Sequence, residues 1–138
     1  MAISLGNRAK MSTSTTGTGT ITLGSAESGY QTFAAAGITN GQTVRYVVED
    51  GSNFEIGSGT YTSSGTTLTR SVTESSNSDN AIVLSGGAKV FLSATVADLY
   101  INDGASTLTT TGVITGGTVE ATSDTAAGDN AAMGYTSA

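Results

Sequence analysis

Ile21 and Leu23 alternate with Thr20 and Thr22, and the same period of two returns in Val44, Tyr46 and Val48, in Phe54 and Ile56, and in Val90 and Leu92. Extended backbone places successive side chains on opposite faces, so each run reads as a half-buried strand. The pattern predicts strands near residues 20–23, 30–34, 43–49, 53–57, 66–73, 81–84 and 88–96. Turn signals separate them: Asn40-Gly41, Asp50-Gly51 and Ser63-Ser64-Gly65, of which Asn-Gly and Asp-Gly suit two-residue hairpins that need positive φ. No long stretch repeats apolar residues at helical spacing. Short strands joined as hairpins predict an all-β fold, a compact antiparallel β-sandwich or an open barrel. Its expected core is Ile21, Leu23, Phe33, Val44, Tyr46, Val48, Phe54, Ile56, Leu68, Val72, Ile82, Leu84, Val90, Leu92, Ala94 and Val96.

The alternation stops near Asp98. Residues 98–138 carry long Thr, Gly and Ala stretches with only scattered apolar positions. A flexible linker is the plain reading of such low complexity. Against it stand the abundance of β-branched Thr and the lack of any Pro, which allow extended segments to order once another copy of the chain completes their sheets. The resulting division is an N-terminal arm over residues 1–17, a sandwich over 18–97 and an extended segment over 98–138. Around a shared axis, Leu99, Ile101, Leu108, Val113, Ile114 and Val119 would meet their symmetry mates and form a trimer interface.

Composition narrows the function. Charged residues make up only 12% of the chain, about half the usual share, and hydroxyl side chains occupy the surface instead. A net charge of −6 with only Arg8 and Lys10 close together argues against a nucleic-acid partner, which needs clustered cations. No apolar run is long enough to span a membrane, and no apolar block follows a basic start. The expectation is a protein made in the cytoplasm, with no nucleic acid and no membrane insertion. With no Cys and no His, the chain lacks a thiol nucleophile, disulfides, the commonest general base and the commonest transition-metal ligand. The sequence therefore reads as a non-enzyme with no cofactor and no metal.

Partial motifs weaken on inspection. "GTGT" and "GSGTYTSSG" suggest phosphate loops, but no Gly-Lys-Ser/Thr follows, and turn or bulge glycines fit better. Glu49, Asp50 and Glu55 flank a turn and invite a glycosidase pair, although solvated turn acids are the simpler reading. Asp124 and Asp129 surround a Gly without the alternating acids of a calcium loop. Tyr30, Tyr46, Tyr61 and Tyr100 offer sugar-stacking rings, yet scattered through strands they fit core edges. Arg8 and Lys10 suit a solvated arm and docking on an acidic ring equally.

"NRAKMSTSTTGTGTITLGSAESGYQTFAAAG", "YVVEDGSNFEIGSGTYTSSGTTLTR" and "SSNSDNAIVLSGGAKVFLSATVA" together resemble a module of virion structural proteins in tailed bacteriophages, most diagnostically in "EIGSGTYTSSGTTLTR", residues 55–70. The resemblance covers roughly residues 7–97. In that family the module commonly stands near the start of tail-fibre proteins, ahead of fibrous sequence. The resemblance implies an anchoring part of a homotrimeric tail fibre that holds the fibre to the tail and supports host adsorption. Its implied partners are further copies of itself and other tail proteins (adaptor, nozzle or baseplate), and its implied place is the virion. Ile3, Leu5, Arg8 and Lys10 would then face the tail, and a natural fibre would run on past Ala138. A capsid decoration or head-fibre protein, and a glycan-binding receptor module, are the alternatives.

Overall fold

The protein's structure, a computed structural model, describes residues 2–98. Ten strands form: β1 (Ile3–Ser4), β2 (Lys10–Thr13), β3 (Thr16–Gly17), β4 (Ile21–Ala26), β5 (Thr43–Asp50), β6 (Asn53–Thr62), β7 (Thr67–Leu68), β8 (Ser71–Ser75), β9 (Leu84–Ser85) and β10 (Lys89–Leu92). A single 3-10 turn, Val96–Asp98, follows. The all-β expectation holds for the described residues.

Pairing runs β5 to β10, β10 to β2, β2 to β4, β4 to β7, β7 to β6 and β6 back to β5, antiparallel throughout. The six strands therefore close on themselves as a barrel, which leaves the ring no free edge. Where the sequence left a sandwich or an open barrel, the six strands form a ring closed by hydrogen bonds. β8 extends the barrel beside β6, β1 lies parallel to β5, and β3 and β9 make a small separate ribbon.

The expected arm over residues 1–17 is also revised, because β2 is one of the staves. Met11 and Ala9 are each 2% exposed and belong to the core. The strand is hard to read because one of its two inward residues is Thr13. That hydroxyl satisfies itself by donating to the Thr22 carbonyl at 2.7 Å and accepting from the Thr15 amide at 3.0 Å.

Near residues 30–34 the chain makes a capped turn rather than a strand. Thr32 Oγ1 accepts from the Ala35 amide at 3.1 Å, as an N-cap does. Gly37, at φ 92°, closes the turn while Ile38 N bonds to Phe33 O and Gly37 N to Ala34 O. This is a Schellman motif, and Phe33 and Ile38 are both buried in the core, the residues whose contact usually accompanies it. The Ala34-Ala35-Ala36 run favours the helical turn that β-propensity at Phe33 obscures. Residues 81–83, read as strand, are irregular, and the segment 66–73 divides into β7 and β8 at Thr69-Arg70.

The β5–β6 hairpin sets the inward face. Asp50 pairs with Asn53 across Gly51-Ser52, with Gly51 at φ 62° in the first central position, as a type II′ turn requires. That register puts Val48 opposite Glu55, Tyr46 opposite Gly57 and Val44 opposite Gly59. Directly opposed residues share a face, so β6 turns Glu55, Gly57, Gly59 and Tyr61 inward. Phe54 and Ile56, expected in the core, look outward, and Phe54 is 37% exposed. Ala94 and Val96 likewise lie outside, Val96 at 78% exposure, and Val72 is only half-buried. The remaining eleven expected core residues are buried. Leu68→Ala and Ile82→Ala should each lower stability by about 2–4 kcal/mol, the cost of truncating a buried aliphatic. Urea unfolding of the two variants checks this, and midpoints equal to the parent's would mean that the inward face is misassigned.

Candidate functional site

A buried charge centre occupies one end of the barrel. Glu55 is fully buried, and Arg70, which leaves the sheet between β7 and β8, reaches it with a paired contact from Nε, at 2.8 Å, and Nη2. Tyr46 donates its hydroxyl to Glu55 Oε1 at 2.7 Å and the Ile82 amide donates to Oε2 at 3.0 Å. The remaining guanidinium donors go to carbonyls of Ile82, Gly17 and Gly19. Burial on its own would raise the Glu55 carboxyl, but the bonds from Arg70, Tyr46 and Ile82 outweigh it and hold the group below its ordinary value. Burial, and then the bond to Glu55, push the Tyr46 phenol far above its usual range. The centre is thus a satisfied pair locking five segments together, with both partners held charged.

This arrangement revises the acid readings. Glu55 is not a solvated turn acid. Glu49, opposite Phe54 on the outer face, pairs with Lys10 at 3.0 Å, while Asp50 accepts from the Ser85 amide and hydroxyl, each at 2.6 Å. Glu49 and Glu55 thus sit on opposite faces, so these turn acids do not converge on a shared groove. "GTGT" presents carbonyls to a guanidinium, the reverse of the N–H cradle that a phosphate needs. Among the described residues no group of three or more acids stands close enough to hold a metal ion.

A second feature stands where the described chain ends. Arg45 on β5 donates Nε to Asp98 Oδ2 at 2.9 Å and Nη2 to Oδ1 at 2.7 Å, a two-point clasp. The Thr95 amide and hydroxyl also donate to Asp98 Oδ2, each at 2.9 Å. The Arg45 bond, followed by those from Thr95, draws the Asp98 carboxyl well below the carboxylate range. A carboxyl held that low stays ionised, so the clasp persists at neutral and mildly acidic pH and opens only as pH falls through the depressed value. Beside it, on the outer face, lies a groove of about 320 Å³ floored by Val47 and Ile56 and walled by Glu74, Ala94 and Val96.

The residues expected to face the tail are only partly brought together. Arg8 and Lys10 share the Tyr30 ring, at 4.9 and 5.9 Å from its centre, and Lys10 also lies 4.9 Å from that of Phe91. Arg8 further donates to the Gly29 carbonyl. Ile3 lies on β1 against Thr43 of β5, and Leu5 beyond it is 51% exposed. With Lys89 paired to Glu27, all five basic side chains of the protein have partners. Tyr46 and Tyr61 are buried, which removes them as sugar platforms, and Tyr30 remains 42% exposed. Tyr100, Asp124, Asp129 and the trimer residues Leu99, Ile101, Leu108, Val113, Ile114 and Val119 lie outside the described residues.

No protein-family model, curated protein or solved structure matches this chain.

The two features with the strongest geometry, the Glu55–Arg70 centre and the Arg45–Asp98 clasp, were not singled out from the sequence. A signal for the first exists: Glu55 and Arg70 stand at the two ends of a stretch with no other charge, spanning one hairpin. In a chain this poor in charge, opposite signs flanking a hairpin are candidates for pairing across it. Arg45 and Asp98 are 53 residues apart, and no local pattern links them.

Proposed function

We propose that the chain is a structural protein of a tailed-bacteriophage virion, the anchoring part of a homotrimeric tail fibre. The clasp carries the reading. A two-point ion pair between a barrel strand and Asp98 ties down the chain where it passes from the folded body toward the Thr- and Gly-rich segment. Such a tie makes mechanical sense where load passes from a body to a shaft, because tension on the segment then reaches β5 instead of peeling β10. The closed ring and the buried pair suit the same task, since both resist local opening. On this reading the protein works through surfaces and repeated contacts. Residues 1–98 form the anchor, and Leu99, Ile101, Leu108, Val113, Ile114 and Val119 gather around the trimer axis.

Two measurements test this. In sedimentation, the full chain is expected to be a trimer and a version ending at Asp98 a monomer, with Val113→Asp plus Ile114→Asp dissolving the trimer by placing like charges near the axis. A stable trimer of the shortened version would overturn the assignment. Electron microscopy of the virion carrying a labelled chain should place it at the tail. Many copies spread over the head would instead support a decoration role.

A further inference from the structure

Three neighbouring strands set the floor of the outer groove in one row. Val47 of β5 stands directly opposite Ile56 of β6, and Ile56 directly opposite Glu74 of β8. Directly opposed residues share a face, so all three side chains project from the outer surface, with Glu74 two strand spacings, about 9–10 Å, from Val47. Ala94 and Val96, the latter 78% exposed, wall the groove. β8 ends the sheet, so no described strand closes the groove beyond Glu74.

Glu74 sets the charge of this surface. Among the described residues, Glu27, Glu49, Glu55 and Asp98 each meet a cation, and Asp50 and Asp79 accept from N–H or O–H donors. Glu74 has neither kind of partner there. Arg45, which also lines the groove, is neutralised by Asp98 and leaves the Glu74 carboxylate uncompensated. This chain has no spare cation to offer: its five Lys and Arg side chains are engaged, and residues 99–138 contain none. A second copy is in the same position.

An apolar floor ending in a carboxylate suits Lys or Arg, whose stem lies along apolar surface while its charged head reaches the acid. A phosphate-bearing partner would meet a like charge instead. The volume of about 320 Å³ stands at the lower limit of small-molecule sites, which enclose most of their ligand, whereas this groove lies open on a sheet face. We infer that the groove docks an extended segment of another protein carrying an aliphatic residue and, two positions on, Lys or Arg. A period of two puts both side chains on one face of such a segment. The aliphatic one then covers Val47 beside Ala94 and Val96, and the basic one crosses Ile56 with its head at Glu74. The inference stands apart from the anchoring role, since a trimer that forms through residues 99–138 neither supports nor weakens it.

The test is nuclear magnetic resonance of the full chain with labelled methyl groups, titrated with two end-capped peptides, Thr-Leu-Thr-Lys-Thr and Thr-Leu-Thr-Gln-Thr. The Lys peptide should shift the methyl signals of Val47, Ile56 and Val96 saturably, with a midpoint of about 1–10 mM. The Gln peptide should bind about two- to fivefold more weakly, the worth of an exposed ion pair. Glu74→Gln should erase that difference, whereas Ile56→Thr should weaken both peptides by about threefold or more, with circular dichroism unchanged in each variant. n-Butylammonium chloride, a basic side chain without its backbone, should bind about tenfold more weakly than the Lys peptide. The site is overturned by the absence of any saturable shift up to about 50 mM, by equal binding of the two peptides to the parent, or by a Lys preference that survives Glu74→Gln. n-Butylammonium binding as tightly as the Lys peptide would make the groove a site for a small cation, and methyl shifts that follow protein concentration without peptide would assign it to a second copy. Either result also overturns the inference.

Discussion

Arg70→Met is expected to lower stability by about 3–5 kcal/mol, a large share of the 5–15 kcal/mol that holds a domain folded. The size of the effect comes less from what Arg70 contributes than from what its loss leaves behind. Glu55 has no exposure to water, and without the guanidinium its charge is compensated only by the Tyr46 hydroxyl and the Ile82 amide. The carbonyls of Ile82, Gly17 and Gly19 also lose a donor. Adding Glu55→Leu to Arg70→Met should recover part of the loss, because two apolar side chains of similar volume leave no uncompensated charge. Recovery stays incomplete, since the Tyr46 hydroxyl and those backbone groups remain unpartnered.

Acid titration separates this account from a simple packing defect. In the parent the Glu55 carboxyl sits below its ordinary value near 4.5, so its contribution is present above that value and is lost as pH falls through the depressed one. In Arg70→Met the sign reverses. Burial without a cation pushes the folded carboxyl above its unfolded value, so acidification neutralises the stranded charge and the variant's deficit shrinks. Urea midpoints for parent, single and double variants from about pH 2 to about pH 8 measure both effects. A loss below about 1 kcal/mol, or a deficit that does not change with pH, would mean that the pair is dispensable.

Much of the barrel was legible because alternation survives wherever both faces keep their usual chemistry. Val44, Tyr46, Val48, Val90 and Leu92 are inward, as their period of two predicts. The failures on β6 and β2 share one cause, small or polar residues pointing inward. On β6 the inward set is Glu55, Gly57, Gly59 and Tyr61, so the larger apolar residues Phe54 and Ile56 claimed the wrong face. On β2, Thr13 points inward and breaks the apolar run. Closure into a ring was not legible either, because pairs such as β7 with β4 and β10 with β2 join segments far apart in sequence. The cation pair over Tyr30 was half visible: Arg8 and Lys10 were noted as neighbours, but their shared aromatic partner lies about 20 residues downstream.

Gly59→Ala is expected to be among the most damaging small changes in the chain, costing about 3 kcal/mol or more, at the upper end of overpacking. Neither Gly59 nor Gly57 has a positive φ, so what glycine supplies here is room rather than backbone freedom. A Cβ at Gly59 would run into the Thr69 carbonyl oxygen, and one at Gly57 into the Ser71 carbonyl oxygen and, at 2.7 Å, the Tyr46 hydroxyl. Backbone cannot step aside cheaply, because Thr69 is held by its amide bond to the Thr60 carbonyl and its hydroxyl's bond to the Thr60 amide. These glycines let the strand beyond β6 press close while Val44 and Tyr46 fill the space opposite them. Two other glycines make the comparison decisive. Gly65, at φ 86° with nothing nearer than 3.8 Å, should lose only about 1–2 kcal/mol on changing to Ala, the cost of the left-handed conformation. Gly19, with open space and no positive φ, should be neutral or gain a few tenths of a kcal/mol by restricting the unfolded chain. Thermal and urea unfolding should therefore rank Gly59→Ala and Gly57→Ala worst, Gly65→Ala between and Gly19→Ala least. If Gly59→Ala proves no worse than Gly65→Ala, the close approach of Thr69 to β6 is wrong, and with it the packing that seats Tyr46 beside Glu55.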